Sequence, residues 1–217
     1  MTTKEIFDKI YDMQAELNKV IGRDTLNCSD EDKRREWIID YLWALHDEAT
    51  ELSNCFRWKW WDTKVKEDES RRFELFDEKN AKIELIDIIH FFISLVHLVI
   101  ENDEECKDIV CTLLFNPRIE REPTNREKFN VVKELIANCL SLLVEIEAEK
   151  KSVNLLVIPT FTFASIIGVI ARFLNMTPQD IFDVYQKKCK INFERQNQNY
   201  SMDTKTEEDN VKLAESI

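Results

Sequence analysis

A chain of 217 residues with 44% hydrophobic content is long enough to bury one sizeable core. Its 2 glycines and 4 prolines are too few for the turns of an all-β fold or the tight βα turns of an α/β fold, so composition predicts an all-α protein. The net charge of −12 argues against nucleic acid or an anionic membrane as partner, and it suits a protein that gathers divalent cations as well as one kept soluble by charge.

The first residues, MTTKEIFDKI, are charged and helical in pattern, with no signal-peptide core. Ile6, Ile10, Met13, Leu17 and Ile21 then repeat at helical spacing, and Gly22 reads as the stop. After a polar loop, residues 33–55 form a second helix with Trp37, Ile38, Tyr41, Leu42, Leu45, Ala49 and Leu52 on a broad apolar face. The aromatic and then charged stretch FRWKWWDTKVKEDESRR reads as a loop or mobile segment. Residues 78–101 predict a long helix, apolar nearly all round and therefore central.

A short helix over 103–115, the loop NPRIEREPTN and a helix over 125–150 follow. Residues 154–175 are the most apolar stretch. Pro159, Arg172 and interspersed threonine and serine make a buried helix the better reading than a membrane span, which needs ~20 apolar residues. Thr177-Pro178 is a helix start, with Thr as N-cap and Pro at the first helical position, and that helix runs to about residue 196. The polar tail 201–217 predicts disorder. With no repeat or linker, residues 1–200 read as a single domain. Cys28, Cys55, Cys106, Cys111, Cys139 and Cys189 form no CxxC pair and read as free thiols of a reducing compartment. The expected location is cytoplasmic, or nuclear in a eukaryote.

Two short stretches stand out against this apolar background: EATE at 48–51 and ELID at 84–87. Glu48 and Glu51 share one helix face, as do Glu84 and Asp87. Burying four carboxylates on facing helices is plausible only if cations neutralise them, and all-oxygen ligands suit Mg²⁺ or Mn²⁺. A di-iron bundle would need Glu-x-x-His on two helices, and here His90 follows Asp87 at that spacing on one helix alone. Solvent-facing acids paired with Lys or Arg are the ordinary alternative. Magnesium held by carboxylates serves substrate phosphates. Lys188, Asn192 and Arg195, at i, i+4 and i+7, could clamp them, although that spacing also describes a solvated helix face.

ExxE followed by ExxD on two helices resembles the signature of the all-α NTP pyrophosphatases of the MazG-like superfamily. Three further stretches resemble its dimeric dUTPase branch: MQAELN at 13–18, FRWKWW directly after ExxE, and KKCKINFERQNQNY at 187–200. Together they run from about residue 10 to residue 200. Cys189 stands where that family usually has Asn, and Asn199 where it usually has Gly.

The resemblance implies a helical bundle core with a smaller mobile helical part, a homodimer, and hydrolysis of dUTP and dUDP to dUMP, with pyrophosphate released from dUTP. Such an enzyme controls the dUTP level and supplies dUMP for dTMP synthesis. It further implies that Glu48, Glu51, Glu84 and Asp87 hold two or three Mg²⁺ ions and that Glu48 or Glu51 is the general base. Gln14 and Asn18 would read the uracil, and Trp58 or Trp61 would pack on it. His90 would lie by the deoxyribose, with Phe91 packing against a ribose hydroxyl. Lys188, Arg195 and Tyr200 would bind phosphates, and Asn192 sugar or phosphate. The competing readings are a dCTP or house-cleaning NTP pyrophosphatase, and a non-catalytic helical interaction protein.

Overall fold

The computed structural model describes residues 1–101, 103–149, 153–197 and Leu213. Among them run eight helices and no named strand: α1 (Thr3–Val20), α2 (Glu31–Asn54), α3 (Thr63–Glu67), α4 (Glu78–Ile100), α5 (Glu104–Phe115), α6 (Asn125–Glu149), α7 (Val157–Phe173) and α8 (Pro178–Asn197). The all-α expectation holds. Tyr200 and the tail from 201, apart from Leu213, lie outside the described residues; Leu213 itself is buried.

The helix starts are set by side chains that satisfy otherwise orphaned backbone N–H groups. Thr2 and Glu5 form a capping box: the Glu5 N–H donates to the Thr2 hydroxyl at 3.2 Å and the Thr2 N–H to the Glu5 carboxylate at 2.7 Å. Asp30, Asp77 and Asp103 each accept a backbone N–H at 3.0 Å to open α2, α4 and α5. Thr177 and Asp180 box the start of α8, as the Thr-Pro pair predicts. Gly22 leaves α1 with φ of 83°, a conformation that costs glycine little. Pro159 sits in the first turn of α7, where its missing N–H breaks no helical bond.

The long apolar helix is central, as its sequence pattern requires. α4 is buried along almost its whole length and packs against α1, α2, α7 and α8. Among the described residues it is the one helix long and apolar enough to cross a membrane, and protein surrounds it. The apolar run at 154–175 becomes α7, which meets α8 at a bend of 100°. α6 lies across α2 and α7, and α5 packs on α7 and α1. All six cysteines are unpaired.

The stretch after α2 is more structured than its charge suggests. Phe56 bridges Leu75 in antiparallel fashion, the Arg57 N–H donates to the Glu74 carbonyl at 2.9 Å, and the Phe73 N–H returns to the Arg57 carbonyl at 3.0 Å. The Arg57 guanidinium lies near Asp62 at 3.4 Å and Glu74 at 3.3 Å. Between these ends α3 buries Val65. Such pairing links residues about twenty apart through the backbone, so no side-chain pattern announces it.

Two packing details carry measurable consequences. A Cβ on Gly168 would lie 2.4 Å from the Leu113 carbonyl oxygen and 2.7 Å from that of Leu114, so α7 can cross α5 only without a side chain there. Gly168→Ala is expected to lower the unfolding free energy by about 1–3 kcal/mol, the usual cost of overpacking, in urea denaturation. Deeper in, His97 of α4 donates its Nε2–H to the Tyr11 carbonyl of α1 at 3.1 Å. Burial, assisted by nearby Lys107, brings its pKa down to about 3 despite that bond. The unfolded ring titrates near 6.5, so between these values the unfolded chain binds the extra proton. Stability should be full above pH 6.5 and fall as pH drops from there, by up to about 1.4 kcal/mol per unit for this ring. His97→Gln should make the urea-midpoint profile less steep between pH 6.5 and 5, with the equally depressed ring of His90 retaining its own share of the slope.

Candidate active site and metal centre

Four helices converge on a cavity of about 240 Å³. α1 brings Gln14 and Asn18, α2 brings Glu48 and Glu51, α4 brings Glu84, Asp87 and His90, and α8 brings Lys188, Asn192 and Arg195. With Phe91, which also lines the cavity, eleven of the fourteen residues singled out in the sequence therefore meet in one place. α4 explains much of this. Glu84, Asp87, His90, Ser94 and His97 recur every three or four residues and form one polar stripe along an otherwise apolar helix.

The acids gather as the spacing predicts, with one distinction. Glu48, Glu84 and Asp87 each offer an oxygen, and the three lie within 4.8 Å of one another. Glu51 lines the same cavity, stays exposed and stands outside that triad. Burial raises the Glu48 carboxyl to about 9, aided by the charges of Asp87, Glu84 and Glu51 and opposed by Lys188. Glu84 rises to about 7 by burial and by Asp87 and Glu51, with Lys188 and Asn80 opposing. The Asn80 side chain donates to Glu84 at 2.9 Å. Lys188, itself buried, places its ammonium 2.7 Å from Asp87.

Lys188 thus brings a positive charge to a triad of carboxylates that resist ionising together. A divalent cation would remove the remaining repulsion, and an all-oxygen donor set at this spacing fits a hard ion. His90 does not join the triad: its Nδ1 bonds to Gln14 at 2.7 Å and its ring stacks on Tyr185 with centroids 4.0 Å apart. The one imidazole that a di-iron site could have claimed is thereby directed elsewhere.

Beside the acids lies a polar floor. Gln14 and Asn18 are 3% and 0% exposed, so their amides must find partners. Gln14 Nε2 donates to Asn18 Oδ1 and to Ser94 Oγ, both at 2.9 Å. Asn18 Nδ2 donates to Thr25 Oγ1 and Ser94 Oγ, both at 3.1 Å, and the Tyr41 hydroxyl donates to Asn18 Oδ1 at 3.3 Å. The Tyr185 hydroxyl donates to Gln14 Oε1 at 2.5 Å. His90 Nε2, by contrast, is buried with no hydrogen-bond partner among the described residues.

The tryptophans differ from expectation. Trp58 and Trp61 do not line the cavity. Trp58 is half-buried, Trp61 is 49% exposed, and they pack edge to face at 5.9 Å. Conversely, Tyr41, Ser94, Thr25 and Tyr185 were not picked out as site residues from the sequence. Ser94 four residues after His90, Tyr185 three before Lys188 and Tyr41 seven before Glu48 share helix faces with site residues, and that periodicity was the available signal.

A family model described as dUTPase matches residues 6–200, from α1 through α8. A comparison with curated proteins found no match.

The charge imbalance of the triad is directly testable. Mg²⁺ or Mn²⁺ at about one hundred times its dissociation constant should add about 2.7 kcal/mol of stability. That corresponds to a rise in melting temperature of roughly 5–10 °C for a chain of this size. Glu84→Gln should abolish the rise while leaving the metal-free melting temperature unchanged or higher, because it removes a carboxylate that repels its neighbours.

Proposed function

We build the following proposal on one premise: the chain belongs to the dUTPase family and is a dUTP-hydrolysing enzyme. Its reaction is the Mg²⁺-dependent hydrolysis of dUTP to dUMP and pyrophosphate, with dUDP as a second substrate. The observation that carries this reading is the triad of Glu48, Glu84 and Asp87 oxygens, within 4.8 Å of one another beside a floor of buried amides. Glu48, Glu84 and Asp87 would hold magnesium, which when bound neutralises charge on phosphoryl oxygens and lowers the pKa of a water.

The remaining work falls to the chain's own side chains. Glu51, outside the triad and exposed, is the carboxylate of the first pair left to accept the proton of the attacking water. Lys188 exchanges its contact with Asp87 for a phosphate oxygen, and Arg195 on the same face of α8 adds a second cationic grip. Tyr200 is a further phosphate ligand in this proposal, and Asn192 bonds sugar or phosphate. His90 Nε2, a buried acceptor, takes a hydrogen bond from a hydroxyl of the sugar. Phe91, at the cavity wall, crowds a ribose 2′-hydroxyl. Gln14 and Asn18 face the uracil and exchange part of their mutual bonding for the base edge.

The working unit of this proposal is a homodimer. Leu140, Val144, Leu155 and Ile158 are 40%, 65%, 62% and 76% exposed on α6 and around the start of α7, and a second copy of the chain would cover them. The deciding experiment measures pyrophosphate release from dUTP, dCTP, dTTP and UTP, with Mg²⁺ and with EDTA. Turnover of dUTP alone, lost in EDTA, is expected. Glu51→Gln should lower kcat by about 10²–10⁴-fold while keeping the Mg²⁺-dependent rise in melting temperature. A preference for dCTP or a broad spectrum would keep the metal chemistry and refute the base assignment.

A further inference from the structure

The directions of the hydrogen bonds that run from His97 through Thr25, Asn18 and Gln14 to His90 follow from a single carbonyl outside the pocket floor. The Tyr11 carbonyl can only accept, so His97 Nε2, 3.1 Å away, must carry a proton. Burial keeps that ring neutral, which leaves Nδ1 as a bare acceptor. The Thr25 hydroxyl, 2.9 Å from Nδ1, must then donate its one proton there. Having spent it, Thr25 Oγ1 can only accept from the Asn18 amide at 3.1 Å, so the Asn18 atom facing it is the NH₂ group.

Asn18 Oδ1 therefore points the other way, where it accepts from Gln14 Nε2 at 2.9 Å and from the Tyr41 hydroxyl. Gln14 Oε1, at the far end of that amide, meets His90 Nδ1 at 2.7 Å and the Tyr185 hydroxyl at 2.5 Å, and both must donate to it. Neutral His90 is thus the Nδ1–H tautomer, and its unpartnered Nε2 is an acceptor. Reversing any one member would set two donors or two acceptors face to face in a buried site, at the cost of unsatisfied groups on both sides.

We infer that Thr25 and His97, neither of which lines the cavity, are positioning residues for nucleotide recognition: through this relay they fix the orientation of the Asn18 and Gln14 amides and the tautomer of His90. The inference rests on the proposal that these three residues face the nucleotide. An oriented amide distinguishes bases that exchange donor for acceptor, as uracil and cytosine do at N3 and at position 4. A histidine held as an acceptor admits a hydroxyl donor and rejects a second acceptor. The relay decides these preferences from a loop and a helix turn outside the pocket wall.

The test uses the full chain. In the wild type, long-range ¹H–¹⁵N spectra of its 3 histidines should show His97 as the Nε2–H tautomer and His90 as the Nδ1–H tautomer. Finding His90 protonated at Nε2 overturns the relay without any variant. Thr25→Val keeps the side-chain volume and cuts the chain of bonds. It should raise KM for dUTP and reduce dUTP-over-dCTP discrimination by about 3–10-fold each, the weight of one neutral hydrogen bond, with kcat unchanged. It should also mix the His90 tautomers. Thr25→Ser, which retains the hydroxyl, should restore all three readouts. If Gln14→Leu leaves KM and discrimination intact, the base-reading proposal fails and this inference with it. If Gln14→Leu loses them and Thr25→Val does not, the inference alone is overturned.

Discussion

Negative charge placed inside an apolar bundle is the constraint on which this molecule turns. Glu48, Glu84 and Asp87 come from two helices whose other inward positions are mostly apolar. An ionised carboxylate in such surroundings is unfavourable, and three together more so. Lys188 answers part of that demand from α8. The rest is a standing attraction for a cation, and beyond it for the anionic phosphates that a cation bridges. The scaffold keeps these acids in place because the apolar length of α4, packed by α1, α2, α7 and α8, cannot leave the core without exposing most of its surface.

α4 is also where the two halves of the site are joined. Its polar stripe begins with the acids Glu84 and Asp87 and continues as hydrogen-bonding groups at His90, Ser94 and His97. The acids face α2 and α8 and the hydrogen-bonding groups face α1. One helix therefore sets the distance between the charged end of the pocket and its amide floor. The two amides of the floor are satisfied within the protein, each using its donors and acceptors on neighbours, which is how a polar patch survives inside a core.

Much of this was legible in the chain as written. The paucity of glycine and proline implied helices, apolar periodicity located them, and Thr177-Pro178 marked the start of the last one. Paired acids at i, i+3 on apolar helices pointed to the cluster, because helical geometry forces such pairs onto one face. The polar residues on α1 and α8 could be nominated as well, since motif and spacing are both local properties.

What the chain by itself determined, then, is what local rules decide: helix content, helix ends, and which residues share a face. The tertiary structure alone decided which faces meet. It separated Glu51 from Glu48, Glu84 and Asp87, although spacing treats the first two as equals. It left Trp58 and Trp61 out of the cavity's lining, and it paired Phe56 with Leu75 in a backbone bridge that no side-chain pattern encodes. It brought Thr25, Tyr41, Ser94 and Tyr185 to the amides of Gln14 and Asn18 from positions up to 171 residues apart. A buried donor or acceptor bonds to whatever lies about three ångströms away. Only the packing of helices against one another decides what that is.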